Sequence, residues 1–332
     1  RNTLRPRLQS NRFLHPPRFL ILFTLAPPKG NAMGITKQDV TFLFHAKGKG
    51  VDFSSTAMLG RLVLYADKSD LEYCESKYKN TNKSISQVVF KDKYSEPFFE
   101  MLGANRVDSI DYSDYEQASI IHDLNKPMPD TMRQRFSCIV DGGTIEHVFN
   151  YPIAVKSCMD AIQVGGHFVG ITPTNNQTGH GFYQFSPELI YRVFSEENGF
   201  EVVQMLVSAD VTDGEEQEWY EVADPMKVKS RVMLVNNRPL TLRFIAKKVA
   251  QKEVFQAAPQ QSDYATTWNR HEAVTTNDSS KSGGVLGLFV KKFVPYRLKV
   301  IARNLKNLAT KEVIQSATLG NIDPSQFRKV DI

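Results

Sequence analysis

Apolar positions recur along the chain in two alternating rhythms. Val40, Leu43 and Phe44 repeat at helical spacing behind Thr36, which predicts a helix capped by Thr36 and running to about Lys47. The run Ala57–Tyr65 follows, then a short helix whose cap is read as Ser69, and a helix over 95–102 closed by Gly103. Short runs at 106–111, 118–122 and 137–141 read as strands, and 145–162 as a helix closing at Gly165-Gly166. Strand 167–172, a helix over 187–197 opened by Ser186-Pro187, and strands 200–208 and 240–247 complete the pattern.

Strands separated by helices imply an α/β fold with a mostly parallel sheet and helices on both faces. Seven candidate strands can be counted between Met33 and Val249, a span that makes one domain. Residues 1–32 hold scattered arginines and one apolar run, Phe19–Ala26, too short for a bilayer span of about 20 residues. They read as a disordered or extraneous leader before Met33. Residues 250–284, rich in Gln, Ser, Thr and Asn, read as a polar linker, and 285–332 as a basic amphipathic helical segment divided by Pro295.

Charge changes this picture only at the ends. The net charge of +5 divides into +6 for residues 1–32, +6 for 285–332 and −7 for the body. An acidic body has no electrostatic footprint for a phosphate backbone, so nucleic acid is not an expected partner. The basic tail suits a weak peripheral contact with an anionic membrane surface, or simple packing of its apolar side on the body. Three cysteines, none in a CxxC pair or at zinc-ligand spacing, fit a reduced cytoplasmic setting and offer no expected metal site.

In an open α/β sheet the ligand site forms outside the carboxyl ends of the strands, so strand-ending residues carry the chemistry. Asp111 ends the second strand of the domain, where its two oxygens suit a vicinal ribose diol. Asp123 follows the third, with Leu124 beside it as an apolar surface for a ring, and Asp141 ends the fourth before Gly142-Gly143. Glu146 and His147 stand just past that strand, and His180 sits between two glycines where an imidazole has room to reach a substrate. Tyr183 and Gln184 are placed to orient an acceptor. Alone, each of these also fits a cap, a turn or a loop-fixing bond.

The segment Asp141-Gly-Gly-Thr-Ile-Glu-His-Val148, followed one helix later by Gly165-Gly-His-Phe-Val169, resembles class I S-adenosylmethionine-dependent methyltransferases between their fourth and fifth strands. The stretch Thr172–Leu189, with Asp111–Glu116 and His122–Asn125, is similar to a bacterial subfamily found among polysaccharide and secondary-metabolite genes. The resemblance covers about Gly34 to Val249. It implies a Rossmann-like seven-stranded methyltransferase fold, S-adenosylmethionine as cofactor, and a small-molecule or glycan-intermediate acceptor. It further implies that Gly60, Asp111, Asp123, Leu124, Asp141, Gly142 and Gly143 hold the cofactor, the two adjacent glycines lying against its methionine part. Glu146, His147 and His180 are then the catalytic candidates. The family's glycine-rich loop is missing, with Leu59-Gly-Arg-Leu-Val-Leu64 in its place. This departure opens a second reading, a methyltransferase-like binding or scaffolding module that has lost the cofactor.

Overall fold

A computed structural model of the chain describes residues 34–211, 215–264 and 314–332. The leader 1–32, the later part of the expected linker and the amphipathic stretch Val285–Leu308 lie outside the described residues. The chain opens with β1 (Gly34–Ile35), and α1 (Lys37–Gly48) then starts on a reciprocal cap between Thr36 and Asp39. After β2 (Ser55–Leu59) and β3 (Val63–Leu64), α2 (Lys68–Tyr78) begins two residues earlier than the sequence suggests. Asp67, not Ser69, is its cap: the Asp67 carboxylate accepts the Asp70 N–H, and the Ser69 hydroxyl donates to the same carboxylate. Next come α3 (Glu96–Met101), β4 (Arg106–Asp111), β5 (Ile120–Ile121) and β6 (Phe136–Gly142).

Helix α4 spans only Tyr151–Ala161. Pro152 lacks an N–H and fits a first turn but not a helix interior, so the expected helix over 145–162 is divided into a tight turn at Ile145–His147 and α4 itself. The chain then goes straight into β7 (Ile162–Asn175), which takes in Gly165 and Gly166. The remaining elements are α5 (Pro187–Val193), β8 (Phe200–Ala209), β9 (Trp219–Val222), α6 (Pro225–Val228), β10 (Leu240–Lys248), β11 (Ile314–Ser316), β12 (Gly320–Ile322) and β13 (Phe327–Val330).

Nine strands form one sheet in the order β13-β9-β8-β10-β7-β6-β2-β4-β5. Strands β5, β4, β2, β6 and β7 run parallel, β10 runs antiparallel to β7, and β8 antiparallel to β10. The seven strands from β5 to β8 make a doubly wound, Rossmann-like sheet in which β10 alone runs against the others. The expected count of seven is corrected by β9 and β13, which extend the β8 edge in antiparallel pairing. Residues 314–332 are therefore not helical. They form a two-stranded hairpin and an edge strand of the main sheet, with Leu319, Ile322 and Phe327 buried in its core. Glu218 holds this segment down, accepting from Ser316, Thr318 and Lys329. Burial works to raise that carboxyl, but these bonds outweigh it and take it down to about 2. Nor is the start of the expected linker free: Val254 is buried in the core, and Ser262 donates to Glu188 on α5.

Alternation along the strands splits the core between the two faces of the sheet. Ala57, Leu59, Ile139 and Phe168 join one cluster with α4 and α5, and Met58, Cys138, Val140 and Val169 join the other with α1, α2 and α3. Cys138 is a buried structural thiol, as its place in the strand implies. Buried charges tie the layers together. Asp39 of α1 pairs with Arg243 of β10 at 2.8 Å, and Arg243 also donates to Ser208 of β8 and lies 5.0 Å from the Trp219 ring of β9. Lys248, fully buried, donates to the carbonyls of Met159 and Ile162 at the end of α4, where a helix leaves acceptors unpaired. No helix of the described residues is long and apolar enough to cross a membrane.

Asp39→Ala leaves Arg243 buried without its partner and is expected to lower the unfolding free energy by about 3–5 kcal/mol in urea. The double variant Asp39→Leu/Arg243→Met, with no stranded charge, is expected to lose much less. Equal losses for the two would contradict this role of the pair.

Candidate functional site at the carboxyl edge

The order of the parallel strands reverses beside β2: the chain moves outward through β4 and β5, then returns to the other flank of β2 for β6 and β7. A crevice opens at such a switch point, outside the carboxyl ends of the strands. Register aligns Leu59 of β2 with Ile110 on one side and Asp141 on the other. The next residues of the three strands, Gly60, Asp111 and Gly142, are thus brought level at the crevice. Gly60 turns the chain with φ +73 and donates its N–H to the Ile110 carbonyl. Asp111 is half-buried, and its carboxylate has no partner among the described residues.

Asp141 is 1% exposed and organises the turn that follows it. Its Oδ1 accepts the backbone N–H groups of Thr144 and Ile145, while the Thr144 hydroxyl donates to the Leu59 carbonyl. Its Oδ2 is buried without a hydrogen-bond partner, as is the Thr172 hydroxyl on β7. Burial, seconded by the negative charge of Glu146, pushes the Asp141 carboxyl up to about 8. Gly143 turns with φ +93, and a Cβ at Gly142 would lie 2.8 Å from a methyl of the buried Leu62. Both glycines are therefore required by the protein's own packing and backbone.

The turn delivers Glu146, whose side chain is 1% exposed, to the carboxyl edge of the sheet beneath the loop after β7. The loop after β7 folds over it, with Phe182 and Tyr183 donating their N–H groups to the Glu146 carbonyl. This brings His180 Nε2 to 3.3 Å from Glu146 Oε1 and places the His147 and His180 rings 5.1 Å apart. The bond with Glu146 raises the His180 pKa against the opposing effect of burial. All three catalytic candidates thus come together, although no local spacing in the sequence announces the cluster. Asp210, at the end of β8, also acts electrostatically on His180 and was missed, since nothing in its neighbourhood marks a site.

Other candidates are occupied elsewhere. The Asp123 carboxylate accepts from Asn125 and pairs with Lys126, fixing its own turn. Leu124 is buried in the core cluster and presents no ring-binding surface. The Tyr183 hydroxyl donates to the Phe149 carbonyl, and the Gln184 side-chain Oε1 accepts the Gln177 N–H, so both hold the loop. Arg61 lies over the Tyr94 ring at 3.9 Å, bonded to Glu96, Asp92 and the Glu116 carbonyl. Two cavities of about 500 Å³ are lined by other residues, one around Leu189, Arg192 and Pro259 and one around Leu71, Val88 and Tyr94; Gly60, Asp111 and Gly142 border neither.

The Asp141 carboxyl titrates higher folded than unfolded, so the folded state holds a proton that the unfolded chain has released between about pH 4 and 8. Its contribution is fully present below that window and is lost as pH rises through it, by up to about 1.4 kcal/mol per pH unit. Asp141→Asn is expected to fold and to flatten this decline in urea unfolding measured from pH 5 to 8. Parallel pH profiles for the two proteins would contradict the assignment.

No protein-family model matches the sequence, and no curated protein is significantly similar to it. Among solved structures, the chain is similar to the 1,6-didemethyltoxoflavin-N1-methyltransferase of Burkholderia thailandensis, solved with S-adenosylhomocysteine; identity is 11%, over 64% of this chain and 78% of that one, with a TM-score of 0.34. It is also similar to the YcgJ protein of Bacillus subtilis, at 9% identity over 65% of this chain and all of that one, with a TM-score of 0.32. The branched-chain polyamine synthase of Thermus thermophilus is similar at 12% identity, over 68% and 60% of the two chains, with a TM-score of 0.31. Likenesses this distant assign no activity. The fold stands on the strand order itself, a Rossmann-like parallel sheet that reverses beside β2.

Proposed function

We propose that the chain transfers a methyl group from S-adenosylmethionine to a hydroxyl of a small-molecule or sugar acceptor. The observation that carries this reading is the levelling of Gly60, Asp111 and Gly142 at the switch point of the sheet. The Asp111 carboxylate, without a partner among the described residues, suits the ribose diol. The buried, unpartnered Asp141 Oδ2 and Thr172 Oγ1 suit the polar end of the cofactor, since a buried polar atom without a partner is costly. S-adenosylmethionine, when bound, supplies an electrophilic methyl carbon on a sulfonium. The protein's task is alignment and removal of the acceptor proton. His180 is placed to take that proton, and Glu146 beside it stabilises the imidazolium. Phe149 and Phe182, 71% and 66% exposed and in edge contact, offer the mouth a flat apolar surface against which a sugar or ring can lie.

A second reading has its own observation. Leu62 is fully buried against Gly142 and Arg61 is fixed by four partners, so the β2 loop is filled with side chains where the family has glycines. In that reading the fold persists as a binding module without cofactor.

Calorimetry with S-adenosylhomocysteine separates the two. Methyl transfer requires binding, weakened in Asp111→Asn by about 1.5–3 kcal/mol, the range for a hydrogen bond to a charged group. A folded protein that takes up no S-adenosylhomocysteine at millimolar concentration overturns the methyltransferase reading, and unchanged affinity in Asp111→Asn moves the ribose elsewhere.

A further inference from the structure

The cluster around Glu146 also has the make-up of a cation site; with an ion bound there, His180 is a ligand and no longer the base for the acceptor proton. Glu146 carries a carboxylate that is almost wholly inaccessible, with Oε2 lacking any hydrogen-bond partner and Oε1 approached by His180 at 3.3 Å. Burial of a carboxylate with so few donors is expensive unless a positive charge completes its surroundings. Beside it stand two imidazoles, both on exposed residues, and one donor atom from each of Glu146, His147 and His180 lies within 4.8 Å of the others. The 3.3 Å separation matches the edge of a coordination shell built with bonds of about 2.0–2.2 Å.

We infer that Glu146, His147 and His180 form a binding site for a divalent transition-metal ion. Two nitrogens and one oxygen select the borderline ions zinc, cobalt, nickel or iron over magnesium and calcium, which prefer all-oxygen shells; manganese, harder but tolerant of imidazole, serves as a paramagnetic stand-in. Three ligands leave further positions toward solvent, as in metal sites that act on a bound oxygen rather than structural ones. The ligands are held in advance: the backbone of Phe182 and Tyr183 is bonded to the Glu146 carbonyl, so the loop bearing His180 is fastened to the residue bearing the carboxylate. The glycine at position 143 leaves room beside Oε1, where a Cβ would come within 3.3 Å. Any part played by the ion toward the acceptor hydroxyl rests on the methyl-transfer reading; its binding does not.

The test uses the full chain, stripped with chelator and titrated with zinc and manganese chlorides in the absence of cofactor. One ion per chain with a micromolar or tighter Kd is expected, and His147→Ala/His180→Ala, both changed at exposed positions, is expected to weaken it at least about 100-fold. The chain has seven histidines, so paramagnetic manganese supplies a second readout that needs no variant: the ring resonances of His147 and His180 are expected to broaden ahead of the other five. Failure of both metals to bind overturns the proposal. So does undiminished affinity in the folded double variant, or broadening centred on other histidines. An unaltered chain that binds neither metal but still binds S-adenosylhomocysteine would remove this inference and leave the functional proposal standing.

Discussion

The crevice depends on one buried carboxylate. Asp141 terminates β6 by drawing the N–H groups of Thr144 and Ile145 back onto its Oδ1, and this stops the strand, tightens the next turn and fixes where Glu146 and His147 emerge. The same turn is fastened sideways to β2 through the Thr144 hydroxyl and the Leu59 carbonyl. Two adjacent strands and the residues of the cluster are therefore tied together by direct hydrogen bonds. The constraint is costly, since the second Asp141 oxygen is buried without a partner and the carboxyl is driven toward neutrality. Strain and unsatisfied polar atoms of this kind collect at functional sites, where a ligand completes them.

Around that unit the rest of the molecule supplies rigidity. The Asp39–Arg243 pair fastens α1 to β10, with Ser208 and Trp219 bringing in β8 and β9, and Lys248 closes the carboxyl end of α4. Each contact buries a charge, so each stabilises only while its partners stay in place. The parallel strands are held from both faces, and the site occupies their carboxyl edge, where loops are free to vary.

Much of this was legible in the sequence, because β2, β6 and the middle of β7 are buried on both faces and read as largely apolar runs. Residues 106–111 form a strand as expected, and Thr36 and Ser186 cap their helices as their residue types suggest. What escaped has physical reasons. Pro152 moved the start of α4, since its compatibility with a first turn is invisible to apolar spacing alone. Strands β9 and β13 are short edge elements whose pairing depends on chain distant in sequence, and Glu218 reads as a surface acid until Ser316, Thr318 and Lys329 reach it. At the candidate site, Asp111, Gly60 and Gly142 stood out because strand ends carry ligands in such sheets, and the register sets the three level. Asp123 and Leu124 were misplaced because an acid after a strand serves its own turn as readily as a ligand. The Glu146, His147 and His180 cluster was legible only as separate candidates, since the loop fold that unites them is set by backbone bonds to the Glu146 carbonyl.

The central claim is that a nucleoside-bearing cofactor enters the crevice at the switch point of the sheet. Hydrogen exchange resolved by peptide, with and without saturating S-adenosylhomocysteine, tests it without any assumption about the acceptor. The account expects slowed exchange confined to the turns after β2, β4 and β6, residues 60–64, 112–117 and 143–148. Protection concentrated elsewhere, such as around α5 and Pro259, or absent throughout a folded sample, would contradict it.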